Sequence, residues 1–292
     1  MVTVASNRRL GRHSPLRYPG GKSKLAGFFA DIIGELELTD VTYVEPFAGG
    51  AGAGLALLQM DVVERMVIND LDVAVYSFWR SIVEHNEEFA TMVESAVMDL
   101  DEWARQKAVY RRADGRDPLA LGFSFFYLNR TNRSGVLHAG VIGGKAQTGS
   151  YRMDARFNRE ELAARIRALK PLGERIVVTA IDGRRTFEEH ASDPHAFIYV
   201  DPPYVEMGGS LYLNSFTHKD HGVLAGAINA ASSANWLLTY DDTTLVRALY
   251  QERSIFDFEL SYSAHRVEKA RELMIVSDPL SDIISRRRSS QL

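Results

Sequence analysis

Short apolar segments, most of which end in an acidic residue, alternate with helical patterns along this chain. These segments are VTYVEPF, RMVIND, RIVVTAID, AFIYVDPPY and ANWLLTYDD. Helical patterns lie between them, at Gly52 to Met60, Asp72 to His85, Arg159 to Leu169 and Lys219 to Ala230. This alternation predicts an α/β fold with a largely parallel sheet covered on both faces. Because ligands of such sheets bind beyond the carboxyl ends of the strands, the terminal acids are candidate site residues.

The alternation stops between residues 84 and 158. This stretch contains a polar helical pattern from Asp101 to Arg112, an aromatic helical block, FSFFYLNR, and a glycine-rich segment, GVIGGKAQTGSY. We therefore predict an inserted, mainly helical domain at 84–158, with 1–83 and 159–292 forming one α/β domain. Near the end of the chain, FDFELSY and ELMIVS predict an antiparallel pair of strands.

Composition limits the class of protein. With 46% hydrophobic residues among 292, the chain can bury a large core, and the lack of cysteine excludes disulfides and thiolate metal sites. We assign no metal ligands. No apolar run reaches the length of a membrane span, so we expect a soluble, cytoplasmic protein. The net charge is −4, but residues 129–159 carry six basic side chains and one acid, which indicates either a phosphate-facing surface or a solvated face.

The segment YVEPFAGGAGAGLALL predicts a strand, a glycine-dense turn and a helix. Glycine is required where backbone approaches a ligand closely, and Asp70 ends the next strand, where a ribose-binding carboxylate belongs in a nucleotide fold. Glu45, which precedes the glycines, suits a positively charged ligand better than a pyrophosphate. The segment therefore indicates an adenosine-containing cofactor, with a plain strand-to-helix turn as the alternative.

The segment RYPGGKSK imitates the end of a phosphate-binding loop. Leu16 stands where that motif has its first glycine, and no strand precedes the segment. We therefore expect this segment to fold over a cofactor rather than to hold a phosphate.

The segment FIYVDPPY places Asp201 at the end of a predicted strand. Pro202 and Pro203 offer carbonyl acceptors without N–H donors on a stiff path, and Tyr204 adds an aromatic ring. Two acceptors beside a ring suit the amino group of a flat base, with both amino hydrogens taken by Asp201 and the Pro202 carbonyl. The alternative is a proline-rich turn.

Several motifs occur here in the order seen in Dam-type (class alpha) DNA N6-adenine methyltransferases. They are RYPGGK, EPFAGG, the Asn69-Asp70 pair, FYLNR followed by Ser-Gly, RFN and DPPY. The resemblance as a whole spans nearly the entire chain, from about Pro15 to Val276. The resemblance implies a Rossmann-like seven-stranded sheet with one reversed strand, S-adenosylmethionine as methyl donor, and a target-recognition domain inserted in a catalytic domain.

The resemblance also implies roles for individual residues. Asp201, Pro202, Pro203 and Tyr204 would form the catalytic motif. The implied cofactor contacts are Tyr18, Lys22, Glu45, Phe47, Gly49, Asp70, Asp182 and Asp201. In the basic segment, the candidate DNA-binding residues are Asn129, Arg130, Asn132, Arg133 and Lys145.

The expected function is methylation of a flipped-out adenine in double-stranded DNA. Cytosine-N4 methylation is the nearest alternative, although that group more often has Ser before the two prolines, and a catalytically inactive DNA-binding relative is another. A nucleotide hydrolase would depend on GGKS alone. A cognate restriction or defence component stays open as a partner, and no membrane partner is expected.

Overall fold

The computed structural model describes residues 14–17, 22–206, 216–261 and 269–289, and its centre is one sheet. The strands are β1 (Thr42–Glu45), β2 (Arg65–Asn69), β3 (Ile176–Thr179), β4 (Ala196–Val200), β5 (Trp236–Asp241), β6 (Ser254–Ser261) and β7 (Lys269–Val276). They form a 7-stranded sheet in the order β3-β2-β1-β4-β5-β7-β6. Strands β1 to β5 pair in parallel, and β7 is antiparallel to both of its neighbours. The predicted strands, including the reversed one, are confirmed.

Helices cover both faces of the sheet. They are α1 (Ala26–Glu35), α2 (Gly52–Gln59), α3 (Val73–Glu84), α4 (Asn86–Glu94), α5 (Leu100–Arg112), α6 (Pro118–Thr131), α7 (Arg159–Arg167), α8 (Gly183–His190), α9 (His218–Ala230), α10 (Thr244–Leu249) and α11 (Asp278–Ser289). Five of the six predicted helical patterns form helices whose ends lie within two residues of those expected, whereas the aromatic block at 123–130 lies inside α6, which starts five residues earlier at Pro118. At α9, Thr217 and Asp220 form a capping box that fixes the start of the helix.

Side-chain alternation along the strands divides the core into two layers. Tyr43 of β1 and Phe197 of β4 point into a large cluster with α1, α2 and α3, where their rings stack 6.2 Å apart. Val44 and Ile198, one residue further along each strand, face a second cluster with α8, α9 and α10. Burial on both faces explains why these strands are apolar throughout.

The segment 84–158 is mainly helical and shares the first of these cores. Phe126 of α6 stacks on Phe78 of α3 at 5.8 Å, and Phe157 packs against the same ring system. Helix α6 approaches α3 closely because residue 122 is glycine: a Cβ there would lie 2.7 Å from the Ser77 carbonyl oxygen. This segment is thereby fixed to the sheet by a continuous apolar contact.

Strand order places the ends of β1 and β4 side by side. The chain progresses outward from β1 through β2 to β3, then returns to β4 on the other side of β1. Such a reversal opens a crevice at the carboxyl ends of the two central strands. The glycine-dense turn after β1 and the DPPY segment after β4 both begin at this crevice.

Among the described residues, no helix combines the length and apolar character that crossing a membrane requires.

The close contact between α3 and α6 generates a stability prediction. Gly122→Ala gains helix propensity but forces a methyl group against backbone atoms of α3, so we expect a net loss of about 1–2 kcal/mol. Gly226→Ala in α9 is the matched control, since nothing lies within 4 Å of its Cβ position and it should gain up to about 1 kcal/mol. Urea unfolding measures both, and equal effects would contradict the tight crossing.

Candidate active site

The turn after β1 has an unusual backbone shape. Gly49 adopts a φ of 46° and Ala51 a φ of 47°, in the left-handed region that glycine tolerates best. The indole N–H of Trp79 in α3 donates to the Gly49 carbonyl at 2.8 Å and fixes the turn from below. Helix α2 starts directly after it. The turn therefore lies at the carboxyl end of β1, with Gly49, Gly50 and Ala51 buried.

Asp70, at the end of β2, is bonded to this turn. Its carboxylate accepts from the Gly49 N–H at 2.9 Å and from the Asp72 N–H at 3.0 Å. Burial raises the pKa of Asp70 to about 6, although both backbone donors favour the charged form. Asp70 and Gly49, predicted as separate cofactor contacts, thus form one unit.

Asn69 joins three neighbouring loops. Its amide nitrogen donates to the carbonyls of Pro46 and Ile181, each at 2.9 Å. Its oxygen accepts from the Thr179 hydroxyl at 2.8 Å and the Ile181 N–H at 3.0 Å. This buried side chain uses all of its hydrogen-bonding capacity, so it fixes the ends of β1, β2 and β3 relative to one another.

Phe47 and Asp182 lie on neighbouring loops. A Cβ at Gly183 would lie 2.6 Å from the Phe47 ring. The loop after β3 therefore approaches the turn after β1 so closely that only glycine fits at position 183. Asp182 is exposed and accepts from the Arg184 N–H at 2.8 Å, which starts α8. Phe47 also packs edge-on against Phe216 at 5.7 Å.

Glu45 is buried beneath the turn. Its carboxyl accepts from the Tyr43 hydroxyl at 2.8 Å and the Gly54 N–H at 3.3 Å. Burial, together with the nearby charge of Asp201, raises the pKa of Glu45 to about 8 despite these hydrogen bonds. Burial thus favours the neutral form of Glu45, and its role as counter-charge to a cationic ligand stays a prediction.

Asp201 lies at the centre of a hydrogen-bonded network after β4. One carboxylate oxygen accepts from the Thr239 hydroxyl at 2.7 Å and the Tyr204 hydroxyl at 3.3 Å. The other lies 3.2 Å from the Lys22 ammonium, which also donates to the Tyr204 hydroxyl at 2.9 Å. The structure thus brings together three residues that the sequence predicts from two distant motifs.

The DPPY path is fixed from the neighbouring strand. Asp241, at the end of β5, accepts from the N–H groups of Val205 and Glu206 at 3.1 and 2.9 Å. Pro202 is buried and Pro203 half-buried. Tyr204 packs its ring 6.1 Å from Tyr240. The motif is thereby held as a rigid bend over the crevice.

Comparison with known proteins gives this site its context. Residues 18–272 match the family described as D12 class N6 adenine-specific DNA methyltransferase, which is most of the chain.

The chain belongs to this family.

The family description makes the protein an enzyme that methylates the N6 amino group of adenine in DNA, and it argues against the cytosine-N4 alternative. A curated relative, Type II methyltransferase M.MjaIII from Methanocaldococcus jannaschii, is 24% identical over 218 residues, which cover 70% of this chain and 73% of the relative. The solved rRNA methyltransferase aviRa from Streptomyces viridochromogenes covers 97% of this chain and 92% of its own, at 12% identity and a TM-score of 0.35, too low to support an argument.

Three of the predicted DNA-binding residues of this methyltransferase are buried. Asn129 accepts from the Arg17 N–H and donates to the Arg17 carbonyl, both at 2.8 Å. Arg130 donates to the Pro15 carbonyl at 2.6 Å. Asn132 accepts from the Trp103 indole at 2.8 Å. Their positions favour a structural role over the DNA contact predicted from sequence.

The remaining predicted DNA-binding residues, Arg133 and Lys145, are exposed. Lys107 and Arg111 of α5 lie near Lys145: burial, and then the positive charges of Arg111 and Lys145, lower the pKa of Lys107. Lys107 also lies over the Trp103 ring at 4.5 Å. The basic surface thus includes α5, which charge counting within 129–159 did not reveal.

Some sequence expectations fall outside the described part of the chain, and some site residues were not anticipated. Tyr18 lies outside the described residues. No local sequence pattern indicates the contributions of Trp79 and Thr239, because each acts through a contact with a distant segment, whereas Asp241 is one of the acids that end the predicted strands.

The raised pKa of Glu45 predicts a pH-dependent stability. The folded protein keeps the Glu45 proton up to about pH 8, whereas the ordinary value is 4.5, so stability falls as pH rises between these limits. We expect Glu45→Gln, which preserves both accepted hydrogen bonds, to gain roughly 2–4 kcal/mol over the wild type between pH 5 and pH 8.5.

Urea unfolding at both pH values measures this difference. Glu252→Gln, at an exposed position, is the control and should follow the wild type. An identical pH profile for Glu45→Gln would show that this carboxyl is ionised in the folded state.

Proposed function

We propose that this enzyme transfers the methyl group of S-adenosylmethionine to an adenine rotated out of double-stranded DNA. The observation that carries this proposal is the adjacency of two elements at the ends of β1 and β4. The Gly49–Asp70 turn, suited to a nucleoside, lies beside Asp201, suited to an exocyclic amino group.

The residues at the crevice fit the proposed donor. Asp70 can accept from ribose hydroxyls, and Phe47 offers an apolar surface beside the exposed Asp182 carboxylate, suited to an adenine. When bound, S-adenosylmethionine supplies a methyl group on a positively charged sulfur. The acidic character of Asp70, Asp182 and Asp201 suits that charge and disfavours a pyrophosphate.

The DPPY motif is arranged to orient the acceptor. We propose that Asp201 and the Pro202 carbonyl each accept one hydrogen of the adenine amino group, while the Tyr204 ring stacks on the base. The network of Thr239 and Lys22 holds the Asp201 carboxylate in place. With its hydrogens held, the amino nitrogen can point its lone pair at the methyl group.

In this proposal the enzyme acts mainly by alignment. The new N–C bond forms as the S–C bond breaks, the sulfur keeps the bonding electron pair, and the amine then loses one proton toward Asp201 and solvent. Holding two reactants at near-attack distance supplies roughly 7–11 kcal/mol of the barrier. Asp201 therefore need not be a strong base, which agrees with its position beside a cation.

We also propose that residues 84–158 recognise the DNA target. Arg133, Lys145 and the α5 residues Lys107 and Arg111 supply exposed or partly exposed positive charge for phosphate contacts. We also propose that the enzyme belongs to the Dam-type branch and acts in the cytoplasm. The Methanocaldococcus relative is named a Type II methyltransferase, and this name supports a restriction or defence component as a partner.

The central test removes the proposed acceptor. In single-turnover reactions with DNA and a labelled donor, the wild type should form N6-methyladenine, and Asp201→Ala should be slower by at least about a hundredfold. Donor binding, measured by calorimetry, should survive in part because Asp70 and Gly49 are intact. Asp282→Ala, at an exposed acid in α11, is the control.

Two results would count against this assignment. A wild-type protein that forms no N6-methyladenine with any DNA tested would reject the proposed function as a whole. An unchanged rate in Asp201→Ala would reject the role of Asp201.

The basic surface predicts a salt-dependent effect. Arg133→Ala and Lys145→Ala should each weaken DNA binding and lower the slope of log affinity against log salt by about 1, because each removes one phosphate contact. Arg185→Ala, at an exposed position of α8, is the matched control and should leave the slope unchanged. Fluorescence anisotropy at several salt concentrations measures the slope, and a wild-type slope in the Arg133/Lys145 double variant would exclude this surface.

A further inference from the structure

A second acid lies beside the Lys22–Asp201 pair. The Lys22 ammonium is 3.2 Å from an Asp201 oxygen and 3.5 Å from a Glu272 oxygen. The side chains of Lys22 and Glu272 are 6% and 3% exposed, whereas that of Asp201 is 24% exposed. One buried ammonium is thus shared between a fully buried carboxylate and one that faces the crevice.

Glu272 occupies an unexpected position in the sheet. It lies in β7, opposite Asp241 of β5, in a strand that is otherwise apolar toward its end. Taking a carboxylate out of water costs several kcal/mol unless a charge partner and hydrogen bonds compensate. The Lys22 ammonium supplies part of that compensation for Glu272.

In the proposed reaction, the Asp201 carboxylate has to bind the target amino group while it also compensates the Lys22 ammonium. One Asp201 oxygen already accepts from Thr239 and Tyr204, and the other faces Lys22. The second oxygen would accept an amino hydrogen of adenine in addition to the ammonium, and sharing its charge between two donors weakens its contact with Lys22. Glu272 then keeps a second carboxylate beside the buried ammonium.

We propose that Glu272 is a positioning residue that holds the Lys22 ammonium when Asp201 turns to the target amino group. This inference rests on the proposed function. Lys22 moves a short distance from one carboxylate toward the other, and its charge stays compensated throughout. No proton needs to be transferred, and Glu272 itself touches neither reactant.

The first test neutralises Glu272 without changing its shape. Glu272→Gln removes one of the two carboxylates beside Lys22 and leaves Asp201. The single-turnover methylation rate should therefore fall by about tenfold to a hundredfold. Dissociation constants for donor and DNA should stay within about twofold of wild type, because neither ligand contacts Glu272. Glu252→Gln, at an exposed acid, is the control.

A double-mutant cycle tests whether Glu272 acts through Lys22. In a Lys22→Met background, Glu272→Gln should change the remaining rate by less than about twofold, since the shared ammonium is already absent. The Lys22→Met variant should also be less stable than the Lys22→Met/Glu272→Gln double variant, because it takes the Lys22 ammonium away from a buried carboxylate. A merely structural Glu272 would lower the rate equally in both backgrounds.

Further variants keep the outcome decisive if Glu272→Gln folds poorly. Glu272→Asp keeps the charge but shortens the side chain by one methylene, so the fold should survive while the rate falls. A wild-type rate in Glu272→Asp or Glu272→Gln, or additive effects in the cycle, would overturn the inference. If the wild-type enzyme methylates adenine, these results would reject the role of Glu272 and leave the proposed function standing. The two claims are therefore tested separately.

Discussion

The parallel pairing of β1 with β4 is the constraint on which the rest of this structure depends. Thr42 pairs with Ala196 and Val44 with Ile198, so both strands end at the same edge of the sheet. The chain reverses its direction of travel across the sheet at this pair, which opens a crevice between the two strand ends. The turn at Gly49 and the acid at Asp201 are neighbours for this topological reason, although more than half the chain length separates them in sequence.

Buried polar groups convert this topology into a defined geometry. Asn69 joins the ends of three strands through four hydrogen bonds, and Asp241 holds the backbone after the DPPY motif. A buried polar atom without a partner costs free energy, so each such group permits few alternative loop positions. These hydrogen bonds restrain the described backbone after β1, β3 and β4, which suits the proposed reaction because it depends on alignment.

The sequence predicts the strands, the insertion and the catalytic motif because each has a local signature. Strands buried on both faces are apolar throughout, and DPPY is recognisable by its own letters. Asn129 and Arg130 lie in an equally recognisable motif, yet their role depends on backbone atoms of Pro15 and Arg17, which no local pattern reveals. Counting charges along the sequence treats Arg130 as a surface residue, whereas only 4% of this residue is exposed in the structure.

The two ends of the RYPGGK motif are held by different distant parts of the chain. At one end, Asn129 of α6 exchanges two hydrogen bonds with the Arg17 backbone, and Arg130 donates to the neighbouring Pro15 carbonyl. At the other end, the Lys22 ammonium contacts Asp201 and Tyr204. A motif read from its own letters therefore depends on partners more than 100 residues away, and the burial of those partners explains why charge counting misjudges Arg130.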